Sequence, residues 1–164
     1  YRLEIVGDFD PSERYKEEVL DFIHTNGLEE QVNFLGWKSQ EELEQIYQDT
    51  DIVVLPSLQE TLPVVIAETM ASGRVMVSSR VGGTPEMIDN GKTGFTYDIG
   101  DVNQLTGILQ QLHDNSSRIM EIGANARIAA KEKFHRNVIA AQTYESYRRV
   151  SQKSVTTAVP LFNI

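Results

Sequence analysis

Between Leu3 and Tyr97, short runs of β-branched and apolar residues alternate with segments of helical pattern, and nothing else in the chain constrains its fold as strongly. Strand-like runs occupy residues 3–6, 32–35, 52–55, 75–78 and 94–97, and helical patterns fill 12–26, 39–48, 63–72 and 85–89. Three of the runs are almost continuously apolar, as expected of parallel strands covered on both faces. Ser12 before Glu13, and Ser39 before Glu41 and Glu42, put capping hydroxyls and acids where the positive end of a helix dipole favours them. Strand and helix in turn, with short connections, predict a Rossmann-like, doubly wound parallel α/β sheet.

From Asp101 onward the pattern is wholly helical. Val102, Leu105, Ile108, Leu109 and Leu112 predict one apolar stripe, and Asn115-Ser116-Ser117 interrupts it. A second helix is expected to reach about Phe134, and a third to cover 138–150. Residues 1–150 therefore read as one domain with C-terminal helices. Residues 151–164, rich in Ser, Thr and Val without a clear period, read as a tail or linker.

A chain of 164 residues is long enough for one domain with a proper core. Its formal net charge of −9 argues against a partner such as nucleic acid or an anionic membrane, whose phosphates need Lys and Arg for neutralisation. The absence of cysteine removes disulfides, thiolate metal ligands and a cysteine nucleophile. His24, His113 and His135 are scattered without ligand spacing, so no metal site is expected. The apolar runs are far below membrane-spanning length, and the chain opens on a strand pattern instead of a signal peptide or an initiator Met. A cytoplasmic location and a piece cut from a longer protein are the resulting expectations.

In doubly wound sheets, ligands bind beyond the carboxyl ends of the strands. The positions to search are therefore Gly7-Asp8, Gly36-Trp37-Lys38 and residues 56–61 and 79–83. The most informative stretch runs from Leu55 to Gly83. A strand ends at Pro56-Ser57, a loop carries Glu60, and a helix is expected to start near Pro63, whose missing donor costs nothing in a first turn. Such a start offers unpaired N–H groups and a positive dipole end, an anion site in outline. Glu68 follows eight positions after Glu60, among Ile66, Ala67 and Met70. Taken alone, Glu60 reads as a solvated loop acid or cap, Glu68 as a surface position, and Gly82-Gly83 as a turn. Trp37, the only tryptophan, would either stack on a base or close the edge of the core.

The motifs taken in order resemble the C-terminal domain of retaining GT-B glycosyltransferases of family 4, the glycosyl transferases group 1. Ile5-Val6-Gly7-Asp8, Val32-Asn33-Phe34-Leu35-Gly36 and Asp51-Ile52-Val53-Val54-Leu55-Pro56-Ser57 lead the series. Glu60 and Glu68, with seven residues between them, match the paired-glutamate motif of that family. Glu68-Thr69-Met70-Ala71-Ser72-Gly73, Gly82-Gly83-Thr84-Pro85-Glu86 and Asn90-Gly91-Lys92-Thr93-Gly94-Phe95 complete it, so the resemblance covers residues 1 to about 150. Each motif is common by itself; the ordered series is specific.

The resemblance implies a domain that binds a nucleotide diphosphate-sugar donor. Glu60 would be the catalytic residue, contacting hydroxyls of the donor sugar, and Glu68 would accept hydrogen bonds from the ribose. Backbone N–H groups over Thr61, Leu62, Pro63 and Val64 would hold the diphosphate. Gly36, Trp37 and Lys38 would border the base, and Gly7 would line the same cleft. A sugar, of hexosyl type, would be transferred with retention of anomeric configuration and without a metal or other cofactor, in polysaccharide or glycolipid assembly.

Two departures stand against the family pattern. Thr61-Leu62-Pro63 replaces the usual Gly-Phe-Gly, and Pro63 removes one N–H from the phosphate pocket. The Arg and Lys that usually meet the diphosphate would precede Leu3, as would an acceptor-binding N-terminal domain, so the fragment alone is expected to be inactive. Arg74 and Arg80 stand at other motif positions and do not take over that role. Any association with a membrane would come through the preceding domain. The competing readings are a nucleotide-sugar epimerase of the same fold and a non-catalytic α/β interaction domain.

Overall fold

The computed structural model describes residues 1–7 and 13–156, and the chain divides between Asp49 and Thr50 into two compact units. In the first unit, β1 (Leu3–Val6) pairs in parallel with β2 (Val32–Gly36), and α1 (Glu13–Thr25) and α2 (Gln40–Asp49) complete it. Ser12, expected to cap α1, lies outside the described residues. Ser39 caps α2 as its sequence promised: Ser39 Oγ and its backbone N–H donate to Glu42 Oε2 at 2.9 and 2.8 Å, and the Glu42 N–H returns a bond to Ser39 Oγ. This reciprocal capping box satisfies two donors that the first turn would otherwise leave exposed.

The second unit holds β3 (Ile52–Leu55), β4 (Val75–Ser79) and β5 (Phe95–Tyr97) in a parallel sheet with β4 in the middle. The register sets Leu55 opposite Ser78 and Val77 opposite Phe95. Helix α3 (Val64–Ala71) joins β3 to β4, and the single turn α4 (Thr84–Met87) lies between β4 and β5. Helices α5 (Val102–Asp114), α6 (Ser116–Phe134) and α7 (Arg136–Thr156) follow. The expected α/β architecture with parallel strands and C-terminal helices is therefore present, its ladders grouped as a pair and a triplet.

Strand β4 is buried along its whole length, which explains its unbroken apolar run. Successive side chains point to opposite faces of a strand, and the two cores obey that period. Val75 and Val77 pack with Phe95, Tyr97, Leu112 and Ile122, whereas Met76 packs with Ile66, Met70, Met87, Ile88, Ala126 and Ala130. Each such large side chain contributes on the order of 1.5–3 kcal/mol by leaving water. Helix α6 approaches the end of α3 closely because Gly123 lies against the Gly73 carbonyl oxygen, where a Cβ would collide.

Several boundaries differ from expectation, each for a local reason. Pro63 is the N-cap of α3, not a residue of its first turn: its ψ of 120° is extended, so the chain bends into the helix one position later. The break at 115–117 reduces to Asn115 alone, whose side chain accepts the Arg118 N–H and caps α6, freeing Ser116 and Ser117 to be helical. Val102 is 69% exposed, so the packed stripe of α5 begins at Leu105. Helix α7 continues to Thr156, past the expected start of a tail at Ser151; the rest of that tail lies outside the described residues. Among the described residues no helix is long and apolar enough to cross a membrane.

Candidate functional site

Because β3 and β4 are parallel neighbours, their carboxyl ends open at the same edge of the sheet. The loop after β3, residues 56–63, therefore runs beside the loop after β4, residues 80–83. Two contacts join them. The Gly83 N–H donates to the Thr61 carbonyl oxygen at 2.9 Å, and Gly82, at φ +49°, packs directly on the Glu60 carbonyl oxygen. A Cβ on Gly82 would occupy the same space as that oxygen, and one on Gly83 would lie 2.6 Å from the Thr61 oxygen. Gly82-Gly83, read from sequence as a turn, is thus also a site of close backbone approach.

This contact orients the loop. The C=O and N–H of a trans peptide point in opposite directions, and no peptide here is cis. With the Glu60 and Thr61 carbonyls turned onto the glycine pair, the N–H groups of Thr61 and Leu62 face away from it. Among the described residues neither N–H has a protein acceptor, nor do those of Val64 and Val65 at the start of α3. Pro63 interrupts this row, having no N–H to offer. Four donors and the positive end of α3 make a local anion-binding surface in a chain of net charge −9.

Glu60 stands at the head of this row, half-buried. Ser57 Oγ donates to Glu60 Oε1 at 2.7 Å. Ser57 is fixed in turn from below: the buried Ser79 hydroxyl donates to the Ser57 carbonyl oxygen. Thr84, also buried, donates to the Ser79 carbonyl at 2.9 Å and accepts the Val81 N–H at 3.0 Å. The hydroxyls at the ends of β3 and β4 therefore form a connected, partly buried network, the kind of arrangement that specifies one loop conformation. The sequence placed Ser57 and Ser79 at the strand exits and Thr84 in a motif but gave none of them a role; small hydroxyl residues at a strand exit were the available signal.

Glu68 lies in the second turn of α3, half-buried. It follows Val64 by four residues and so shares its helix face. That face is opposite the one that buries Ile66, Thr69 and Met70. Leu62 and Val64 are 61% and 66% exposed, giving the surface around the free N–H groups an apolar rim.

The remaining expected site residues belong to the first unit. Gly7 and Gly36 end their strands together, the Gly7 N–H donating to the Gly36 carbonyl at 3.0 Å. Trp37 is 70% exposed, so it does not close the edge of the core. Lys38 is held by Glu42 at 3.1 Å. Arg80 is engaged by Asp98 at 3.1 Å and lines a separate surface cleft of about 530 Å³ with Glu86, Asp89 and Lys133. Among the described residues no cluster of three or more His, Cys, Asp or Glu could hold a metal ion.

The strand exit locked by the glycine pair thus brings an anchored carboxylate and a row of free backbone donors side by side. Residues 1–115 match the glycosyl transferases group 1 family, and the chain belongs to it. It is 30% identical over 153 residues to the amylovoran biosynthesis glycosyltransferase AmsK of Erwinia amylovora, covering 90% of this chain and 37% of that protein. The fold is similar to that of HepE from Anabaena in complex with UDP, with a TM-score of 0.82, 27% identity and coverage of 90% of this chain and 41% of that one. HepE has also been solved with UDP-glucose, at a TM-score of 0.79. Sucrose-phosphate synthase from Thermosynechococcus elongatus is similar at 26% identity and a TM-score of 0.79, with 93% of this chain and 39% of that one covered. The chain thus spans about two fifths of the length of these GT-B glycosyltransferases.

Proposed function

We propose that this chain is the donor-binding part of a retaining glycosyltransferase of family 4, which takes a hexosyl group from a nucleotide diphosphate-sugar. The observation that carries this reading is the row of free N–H groups from Thr61 to Val65 beside the anchored carboxylate of Glu60. The diphosphate lies on those N–H groups, Glu60 meets the donor sugar and Glu68 meets the ribose. Backbone donors and cations from the remainder of the polypeptide neutralise the leaving diphosphate without a metal, in a cytoplasmic reaction. The UDP and UDP-glucose complexes of HepE support a nucleotide-sugar as donor.

Titration of the protein with UDP and UDP-glucose tests the reading. Both ligands are expected to bind, with amide shifts concentrated at Thr61, Leu62, Val64 and Val65. Absence of binding, or shifts confined to other helix starts, would overturn it. The isolated 164-residue chain is expected to bind donor without transferring sugar. Measurable turnover by the chain alone would show that no further domain is required.

A further inference from the structure

Among the described residues, the hydrogen bond that Glu60 makes through its side chain comes from Ser57, and it uses only one of the two carboxylate oxygens. Oε1 accepts the Ser57 hydroxyl at 2.7 Å, while Oε2 has no protein partner among the described residues. A glutamate on a half-exposed loop has three side-chain torsions to order before it can meet a ligand in one geometry. A donor three residues away removes much of that freedom before any ligand arrives.

Ser57 is well suited to this because its own backbone is not free. The Ser79 hydroxyl, buried at 2% exposure, holds the Ser57 carbonyl, and Ser79 is held by Thr84 at 2.9 Å. The chain of contacts runs from the end of β4, through the exit of β3, to the carboxylate. Its last link is charge-assisted, the stronger class of hydrogen bond.

We propose that Ser57 is a positioning residue for the donor-sugar subsite: it locks Glu60 in one rotamer and leaves Oε2 as the oxygen that accepts a sugar hydroxyl. The inference rests on the assignment of Glu60 to the donor sugar. Ser57 itself touches no ligand. Its effect is therefore confined to the part of the donor that Glu60 reads, and the nucleoside diphosphate does not sense it.

The test measures dissociation constants for UDP and UDP-glucose by calorimetry on wild type, Ser57→Ala, Ser57→Val and Ser57→Thr. Thr and Val have nearly the same shape and differ in the hydroxyl, so their comparison stands even where the Ala variant folds poorly. Loss of the hydroxyl is expected to weaken UDP-glucose roughly threefold to tenfold, the effect of freeing one immobilised side chain. UDP affinity should stay within about twofold, and Ser57→Thr should retain wild-type affinity for both. Unchanged UDP-glucose binding in Ser57→Ala and Ser57→Val would overturn the role of Ser57 while leaving the donor-binding reading intact. Equal loss of both ligands would overturn it too, since that marks a merely structural residue. A wild-type protein that binds neither ligand would remove the underlying reading and this inference with it.

Discussion

Gly82 rests on the carbonyl oxygen of Glu60 with no room for a side chain between them. The contact does two things at once: it turns the peptide after Glu60 so that its N–H faces outward, and it ties the exit of β4 to the exit of β3. A residue that carries no chemistry thereby decides where the chemistry-bearing loop lies. The neighbouring bond from the Gly83 N–H to the Thr61 oxygen acts in the same sense one residue further on.

Gly82→Ala should therefore damage the site more than a surface glycine substitution would. The left-handed φ of +49° costs an alanine about 1–2 kcal/mol, and the collision with the Glu60 oxygen adds to it. We expect a lower denaturation midpoint together with loss of UDP binding. Gly100→Ala, also at positive φ but with open space around it, should show the backbone cost alone and bind UDP normally.

Glu60 and Glu68 should have separable effects on ligand binding. If Glu68 holds the ribose as proposed, Glu68→Ala removes a charge-assisted hydrogen bond worth roughly 1.5–3 kcal/mol, about a tenfold to hundredfold loss for UDP and UDP-glucose alike. Glu60→Ala should leave UDP affinity nearly unchanged and weaken UDP-glucose. Calorimetry with both ligands on each variant decides this; normal UDP binding by Glu68→Ala would refute the assignment.

Met76 is fully buried on the central strand, whereas Met120 is 70% exposed on α6. Met76→Ala should cost roughly 2–5 kcal/mol of unfolding free energy through lost burial and a residual cavity. Met120→Ala should stay within about 0.5 kcal/mol of wild type. Urea denaturation of the two variants provides the comparison, and similar losses would mean that β4 is not the centre of the core.

The capping box of α2 predicts a pH effect of known sign. The backbone N–H of Ser39, then its hydroxyl, then Lys38 hold the Glu42 carboxyl down at about 2, against an ordinary 4.5. A depressed folded-state value means that the stabilisation is fully present above about 4.5 and is lost as the pH falls through about 2. Carboxyl-carbon NMR titration should place the Glu42 midpoint near 2 in wild type. In Ser39→Ala the midpoint should rise but remain below 4.5, because the backbone N–H still donates. A midpoint at the ordinary value in wild type would show that the box does not form in solution.

The sequence by itself determined the alternation of strand and helix, and with it the parallel pairing and the edge at which a ligand can bind. Those follow from periodicity: Val75, Met76 and Val77 must be covered on both faces, and Val64 with Glu68 must share one helix face. The capping of α2 was equally legible, because Ser39 and Glu42 act within one turn. Only the tertiary structure decided what Gly82-Gly83 and Ser79 do. Their partners, Glu60, Thr61 and Ser57, lie about twenty residues away in the chain and are brought near only by the register of β3 on β4. A glycine pair in isolation reads as a turn, since a missing Cβ leaves no trace of what has moved into its place. The direction of the Thr61 and Leu62 N–H groups is likewise settled by non-local contacts, because each peptide's orientation follows what its carbonyl meets at the glycine pair.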